Sequence, residues 1–130
     1  MIRKWIKDIS KKSNAFAIRE ITTTEDWNQL LAGSRHQPAL LFKHSNRCSL
    51  SDLALKRVLN LNTEIEAHCS MYIIDVVKKK SLSQLIADEL GVRHESPQAL
   101  LIYRGYLQDH ASHNSIDARW IRSALEAFNP

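Results

Sequence analysis

Cysteine is scarce in this chain: only Cys48 and Cys69 occur in 130 residues. Two thiols cannot build a disulfide framework, and both are expected to be reduced. Long apolar runs are missing too. None approaches the roughly 20 residues that a membrane helix requires, so stable membrane insertion is not expected. The opening stretch, "MIRKWIKDISKKS", interrupts its apolar residues with basic ones and lacks the small-residue cleavage site of a secretory signal, which points to the cytoplasm. Repeats and low-complexity segments are absent. The net charge is +4, but the basic residues are dispersed, with lysine runs only at Lys11–Lys12 and Lys78–Lys80. No aromatic residues alternate with them along a strand, so the stacking platform of a nucleic-acid binder is missing and no nucleic-acid partner is expected.

The composition that remains, 44% hydrophobic and 25% charged, is that of an ordinary globular chain with room for one domain. Residues 1–14 read as a basic leader in which Ile2, Trp5, Ile6 and Ile9 recur at helical spacing, as in a helix laid on the domain or a membrane-surface contact. Residues 15–130 read as the domain. Within it, "AFAIREI" is a first strand carrying Phe16 and Ile18 on one face. "TTTEDWNQLLAG" is a helix, with Thr22 and Glu25 at capping-box spacing and Gly33 at its end. "PALLFKH" is a strand apolar enough to be buried on both faces. From Cys48, the series Leu50, Leu53, Ala54, Val58, Leu61 and Ile65 predicts one long amphipathic helix.

"SMYIIDVV" follows as a strand, then "SLSQLIADELG" as a helix with Ser81 and Gln84 as its capping box and Leu82, Leu85, Ile86 and Leu90 facing inward. "QALLIY" and "YLQDHA" are separated only by Arg104 and Gly105, which predicts a hairpin. "NSIDARWIRSALEAF" closes the chain as a helix capped by Asn114 and Asp117. The order β-α-β-α-β-α-β-β-α gives an α/β fold: a mixed central sheet with helices on both faces.

In such a sheet, functional groups collect beyond the carboxyl ends of the parallel strands, where helix N-termini point. Cys48 follows the central strand by a short polar turn and opens the next helix. Unpaired N–H groups and the positive end of the helix dipole favour a thiolate there. Arg47 adjoins it and His44 lies four residues earlier; each is a candidate to stabilise the thiolate, and Ser45 or Asn46 is a candidate helix cap. A free cysteine is usually a buried core filler, and Cys69, leading into an apolar strand, fits that reading. The polar surroundings of Cys48 do not. Three residues on, where a dithiol enzyme carries its second sulfur, stands Ser51. Its hydroxyl is a candidate hydrogen-bond donor to the thiolate but cannot resolve a disulfide. A single thiolate still attacks a mixed disulfide and takes the small thiol onto itself.

Three motifs in order, "ALLFKHSNRCSLSDLALKRV", "GVRHESPQALLIYRG" and "DHASHNSID", resemble the monothiol bacilliredoxin family of the bacillithiol system, over about Thr22 to Leu125. The resemblance implies a thioredoxin-like fold, with Cys48 as the thiol that removes bacillithiol from S-thiolated client proteins. It further implies that Ser96 and Pro97 match the cis-proline position that holds a client backbone. Ser49, Ser112 and His113 become candidates to contact substrate. The best-known family form reads Thr-Cys-Pro-Ile-Ser, whereas this chain has Arg47-Cys48-Ser49-Leu50-Ser51. A low-molecular-weight thiol of the bacillithiol kind is the implied co-substrate, with no bound cofactor and no metal. Two other functions share these residues: a non-catalytic thioredoxin-fold module that binds proteins with Cys48 idle, and a peroxide sensor in which Cys48 forms a sulfenic acid. For Ser112 and Asn114, capping of the final helix is the alternative role.

Overall fold

Pro38 delivers the chain into β2 (Ala39–His44), six residues that are all buried. A strand without an exposed face must lie at the centre of a sheet with layers on both sides. The computed structural model, which describes residues 17–128, builds those layers from β1 (Ile18–Glu20), α1 (Thr24–Gly33), α2 (Ser49–Leu59), α3 (Asn62–Glu66), β3 (Ser70–Asp75), α4 (Lys80–Leu90), β4 (Gln98–Tyr103), β5 (Tyr106–Ser112), a 3-10 turn at His113–Ser115 and α5 (Ala118–Glu126). The five strands run in the order β1-β3-β2-β4-β5. β1, β3 and β2 are parallel; β4 is antiparallel to β2, and β5 to β4. The expected α/β architecture is present. The predicted leader and Phe16 lie outside the described residues.

Side chains alternate across the sheet with period two. Leu40, Phe42, Met71, Ile73, Ala99 and Leu101 pack on one face against Ala54, Leu55 and Val58 of α2, Ile65 of α3, and Ile121 and Leu125 of α5. Leu41, Tyr72, Ile74, Leu100 and Ile102 pack on the other against Trp27 and Leu30 of α1 and Ile86 of α4. The same alternation sends the last two residues of β2, Lys43 and His44, to opposite faces.

Several elements depart from their sequence expectation. The long helix expected over residues 48–65 is two helices, because Asn60 N–H bonds back to Lys56 and Val58 carbonyls and Leu61 leaves helical geometry at φ −106° and ψ 21°. An unbroken helix of that length spans about 27 Å, longer than the ~20 Å of the six-residue strand beside it. The turn brings Ile65 onto the core, fully buried. Leu50 and Leu53, expected to face inward, are 45% and 50% exposed, and Leu85 is also exposed. The cap of α1 lies one residue later than its expected Thr22–Glu25 pair: Thr23 Oγ1 accepts from Asp26 N–H at 3.0 Å, and Asp26 Oδ2 accepts from the N–H groups of Thr22 and Thr23. Those bonds, led by the Thr22 N–H, hold the Asp26 carboxyl below its usual range. At α4 the expected Ser81–Gln84 box is not used. Asp75 Oδ1 takes the Val77 and Lys78 N–H groups instead, and the helix begins at Lys80.

Gly91 ends α4 in the left-handed conformation at φ 69°, as a glycine does without penalty. The hairpin turn has positive φ at both central residues, Arg104 (54°) and Gly105 (80°), the geometry that matches strand twist. Ser34, buried at the end of α1, anchors it, with its carbonyl accepting from Arg104 N–H and its Oγ from Gly105 N–H. Asp117 caps α5 through Trp120 N–H at 2.9 Å. Asn114 is not a cap and belongs to the 3-10 turn.

Candidate functional site

β2 and β4 are antiparallel neighbours, with Lys43 opposite Gln98, and Gln98 lies opposite Ser112 on β5. Three segments therefore leave the sheet at one edge: the turn carrying Cys48, the loop carrying Ser96 and Pro97, and the turn at Ser112–His113. The Ser96–Pro97 peptide is cis. Pro97 carbonyl accepts from His113 N–H at 3.0 Å. From α2, Arg57 Nε donates to the Ile116 carbonyl at 2.6 Å and Nη2 to the His113 carbonyl at 3.3 Å, tying the third segment to the helix that Cys48 begins.

Cys48 occupies the N-cap position of α2, with extended backbone at φ −125° and ψ 117° and no side-chain capping bond. Neither Ser45 nor Asn46 is the cap. Ser45 Oγ accepts from Arg47 N–H, and Ser45 carbonyl from Cys48 N–H. The thiol is partly exposed, at the position where side-chain atoms meet the unpaired N–H groups of the first turn.

Ser51 and His44 do not act as expected. Ser51 is fully buried and its Oγ lies 2.6 Å from His44 Nδ1 while accepting Ser45 N–H at 3.0 Å. That hydroxyl is committed to the turn rather than to the sulfur. His44 Nε2 lies 3.5 Å from Asp52 Oδ1. Burial lowers the His44 pKa, against the opposing pull of Asp52 and Asp75. A neutral ring with its proton on Nε2 satisfies both contacts: Nδ1 accepts from Ser51 O–H, and Nε2–H points at Asp52. The Asp52–His44–Ser51 series has the order of a hydrolase triad, but its hydroxyl is sealed inside and cannot reach a substrate. Its effect is to brace the Cys48 turn against α2. Arg47 is exposed beside the cysteine.

Across the edge, the Ser96 hydroxyl is buried and has no hydrogen-bond partner among the described residues. Ser112 Oγ donates to Glu95 Oε1 at 3.0 Å, so this serine does not cap the final helix. His113, half exposed, places Nδ1 4.0 Å from Glu95 Oε2. Ser49 is exposed at the start of α2. Cys69 lies elsewhere. It precedes β3, whose first residue pairs with Ala39 at the opposite end of β2, so a strand length of about 20 Å separates the two thiols. It is buried, and burial pushes its thiol pKa up to about 12.

One group has no counterpart in the sequence expectations. Lys43 is fully buried, and its Nζ donates to the Ser83 carbonyl at 3.1 Å and contacts His94 Nδ1 at 3.0 Å. The signal in the sequence was a lysine interrupting a strand otherwise apolar enough to be buried on both faces.

The strand order, the paired helical layers and the cysteine at a helix start beyond the central strand define a protein of the thioredoxin class. Solved structures agree on the fold. A protein described as having a thioredoxin fold superposes with a TM-score of 0.73 at 23% identity, over 82% of this chain and 92% of the other. Thioredoxin from Malassezia sympodialis gives 0.69 at 16%, over 88% and 93%, and that from Fasciola hepatica 0.67 at 17%, over 85% and 98%. Within that class the chain belongs to the monothiol bacilliredoxin family, whose model, described as monothiol bacilliredoxin BrxC, matches residues 19–121. Family and fold together support a thiol-oxidoreductase type of role.

Proposed function

We propose that this protein is a monothiol disulfide reductase that removes a low-molecular-weight thiol, bacillithiol or a close relative, from S-thiolated client proteins in the cytoplasm. The Cys48 thiolate attacks the small-thiol sulfur of the mixed disulfide. The new bond joins Cys48 to the small thiol, the old S–S bond breaks, and the client leaves as a thiolate that takes up a proton. A second thiol, from another small molecule or a reductase, attacks the Cys48 adduct and restores the enzyme.

The observation that carries this reading is the partly exposed Cys48 at the N-cap of α2, with the residue three positions on a buried serine locked to His44. Nothing at that position competes with an outside thiol, so chemistry ends at the mixed-disulfide stage. The dipole of α2 favours the negative sulfur, and exposed Arg47 adds positive potential. Proline at 97 has no N–H, and the backbone of Ser96 is the group that pairs with an extended client segment. Ser49, Ser112 and His113 provide polar contacts to substrate around the same edge.

Reduction of a protein–bacillithiol mixed disulfide by the purified chain, followed by mass spectrometry, tests the proposal. Cys48→Ser abolishes transfer and Cys69→Ser retains it. Transfer that survives in the Cys48 variant rejects the mechanism. A client interaction indifferent to Cys48 alkylation would instead support the non-catalytic module. Rapid peroxide consumption with no mixed-disulfide turnover would support the sensor.

A further inference from the structure

The loop that precedes Pro97 is held by buried polar side chains. Gln98 is fully buried; its Nε2 donates to the Arg93 carbonyl at 3.0 Å and its Oε1 accepts from Glu95 N–H at 3.4 Å. Ser112 holds the Glu95 carboxylate. His94, between them, is held from beneath by Lys43, and its Nδ1 also lies 3.3 Å from Ser83 Oγ on α4. Residues 93, 94 and 95 thus each have an anchor, and Ser96 and Pro97 follow without further freedom.

Lys43 is the least expected of these anchors. An ammonium group has three donors and no acceptor, so its contact with His94 requires the Nδ1 lone pair and places the ring proton on Nε2. Burying such a charge is costly in general, and an apolar side chain of similar volume is often the more stable choice. A leucine or methionine at 43 would fill the space against α4 but remove the 3.0 Å contact to His94 Nδ1, leaving the longer one to Ser83 Oγ at 3.3 Å. What the lysine adds is a directional link from the central strand, one residue before His44, to the loop across the edge. The Cys48 turn and the Ser96–Pro97 loop are thereby both referred to adjacent residues of β2, one through each face.

We infer that Lys43 is a positioning residue for client capture, setting through His94 the place of the Ser96–Pro97 loop relative to Cys48. It touches neither substrate nor sulfur. The inference deepens the proposed exchange activity and rests on it for its kinetic consequence, while the mechanical link stands by itself. Groups facing the pair are Ser83 and Asp88 from α4, Glu95 from the loop and Gln98 from β4. Asp88 favours the charged lysine, Glu95 favours a charged His94, and Lys43 opposes it.

Two readouts decide the matter. With a protein mixed-disulfide substrate, Lys43→Met and His94→Leu each raise KM about tenfold, less than the ~100-fold that a 1 Å misplacement remote from the reacting atoms can cost, while the rate of Cys48 alkylation by iodoacetamide stays within a factor of about two. The double variant adds little further, as for two residues acting through one contact, and His94→Gln, whose amide oxygen can accept from Lys43, recovers part of the loss. Independently, hydrogen exchange at residues 93–98 speeds up in Lys43→Met and not in segments remote from β2. Unchanged KM in a folded Lys43→Met, or unchanged exchange at 93–98, overturns the inference. If the native protein turns over no mixed disulfide, the proposed function fails, and hydrogen exchange still decides whether Lys43 holds the loop.

Discussion

Ser51 Oγ lies 2.6 Å from Nδ1 of His44, and this bond assigns the residue three positions after Cys48 to the support of the turn. A hydroxyl at that site is commonly read as a partner for the sulfur. Here it faces the other way, with one donor and one acceptor contact inside the protein. The brace links β2 to the first turn of α2 and so positions Cys48 from behind.

Ser51→Ala therefore acts mainly on stability. It leaves Ser45 N–H and His44 Nδ1 without their partner in a buried site, a loss of about 1–3 kcal/mol. Urea unfolding at pH 7 is expected to show a lower midpoint with an unchanged slope. A midpoint identical to that of the native chain would mean the hydroxyl bears no load.

The two cysteines should differ sharply toward alkylating reagents. Cys48 is partly exposed, whereas Cys69 is 3% exposed and its thiol is pushed up to about 12 by burial. Iodoacetamide at pH 8 is expected to label Cys48 in the native protein and Cys69 only after denaturation. Peptide mass spectrometry that finds both labelled at comparable rates would contradict the buried placement of Cys69.

Alkaline pH separates the contribution of Lys43 from that of Cys69. Burial brings Lys43 down to about 8, despite Asp88. Between that value and its ordinary 10.5 the unfolded chain holds a proton that the folded chain lacks, so stability contributed by this site rises with pH. Cys69 acts with the opposite sign. Above its ordinary 9.0 the unfolded thiol ionises while the buried one stays protonated, and stability falls. The rise is expected alone between about pH 8 and 9, and the two oppose each other above. In a Cys69→Ala background the rise should continue toward pH 10, and adding Lys43→Met should flatten it. Denaturant midpoints across that range measure both.

Acid titrates two further bases, buried His44 and partly buried His94. The pKa values of His44 and His94 are lowered chiefly by burial, from 6.5 in each case. Below 6.5 the unfolded chain takes up protons before the folded one does, so stability drops as pH falls from 6.5 through the lowered folded values. Protonated His94 also cannot accept from Lys43. Replacing His94 by Gln is expected to reduce the stability lost between pH 6.5 and 5, measured by chemical denaturation; an unaltered acid limb would contradict the Lys43–His94 contact.

Much of the architecture was legible in local pattern. The largely apolar β2, the two-residue hairpin turn at Arg104–Gly105, the end of α4 at Gly91 and the capping of α5 by Asp117 depend on neighbours within a few residues, and the sequence states them directly. So does the placement of one cysteine at a strand-to-helix junction with serine three positions on. The caps of α1, α2 and α4 were misplaced, and Asn114 was wrongly included at α5, because several polar side chains stand close enough to compete and geometry alone selects among them. In α1 the carboxylate of Asp26 reaches two N–H groups at once; α4 has no side-chain cap, and Asp75 instead closes the turn before it through Val77 and Lys78 N–H.

The sequence by itself determined the fold class, the strand and helix identities and the candidate thiol, since these follow from periodicities of two and 3.6 and from single special residues. Only the tertiary structure decided what each polar group near that thiol binds. Lys43 meets Ser83 and His94 across separations of 40 and 51 residues, and Leu50 and Leu53 stay exposed on α2. Such pairings depend on how layers close around the sheet, and hydrogen bonds form over about 3 Å, a distance that no spacing along the chain specifies.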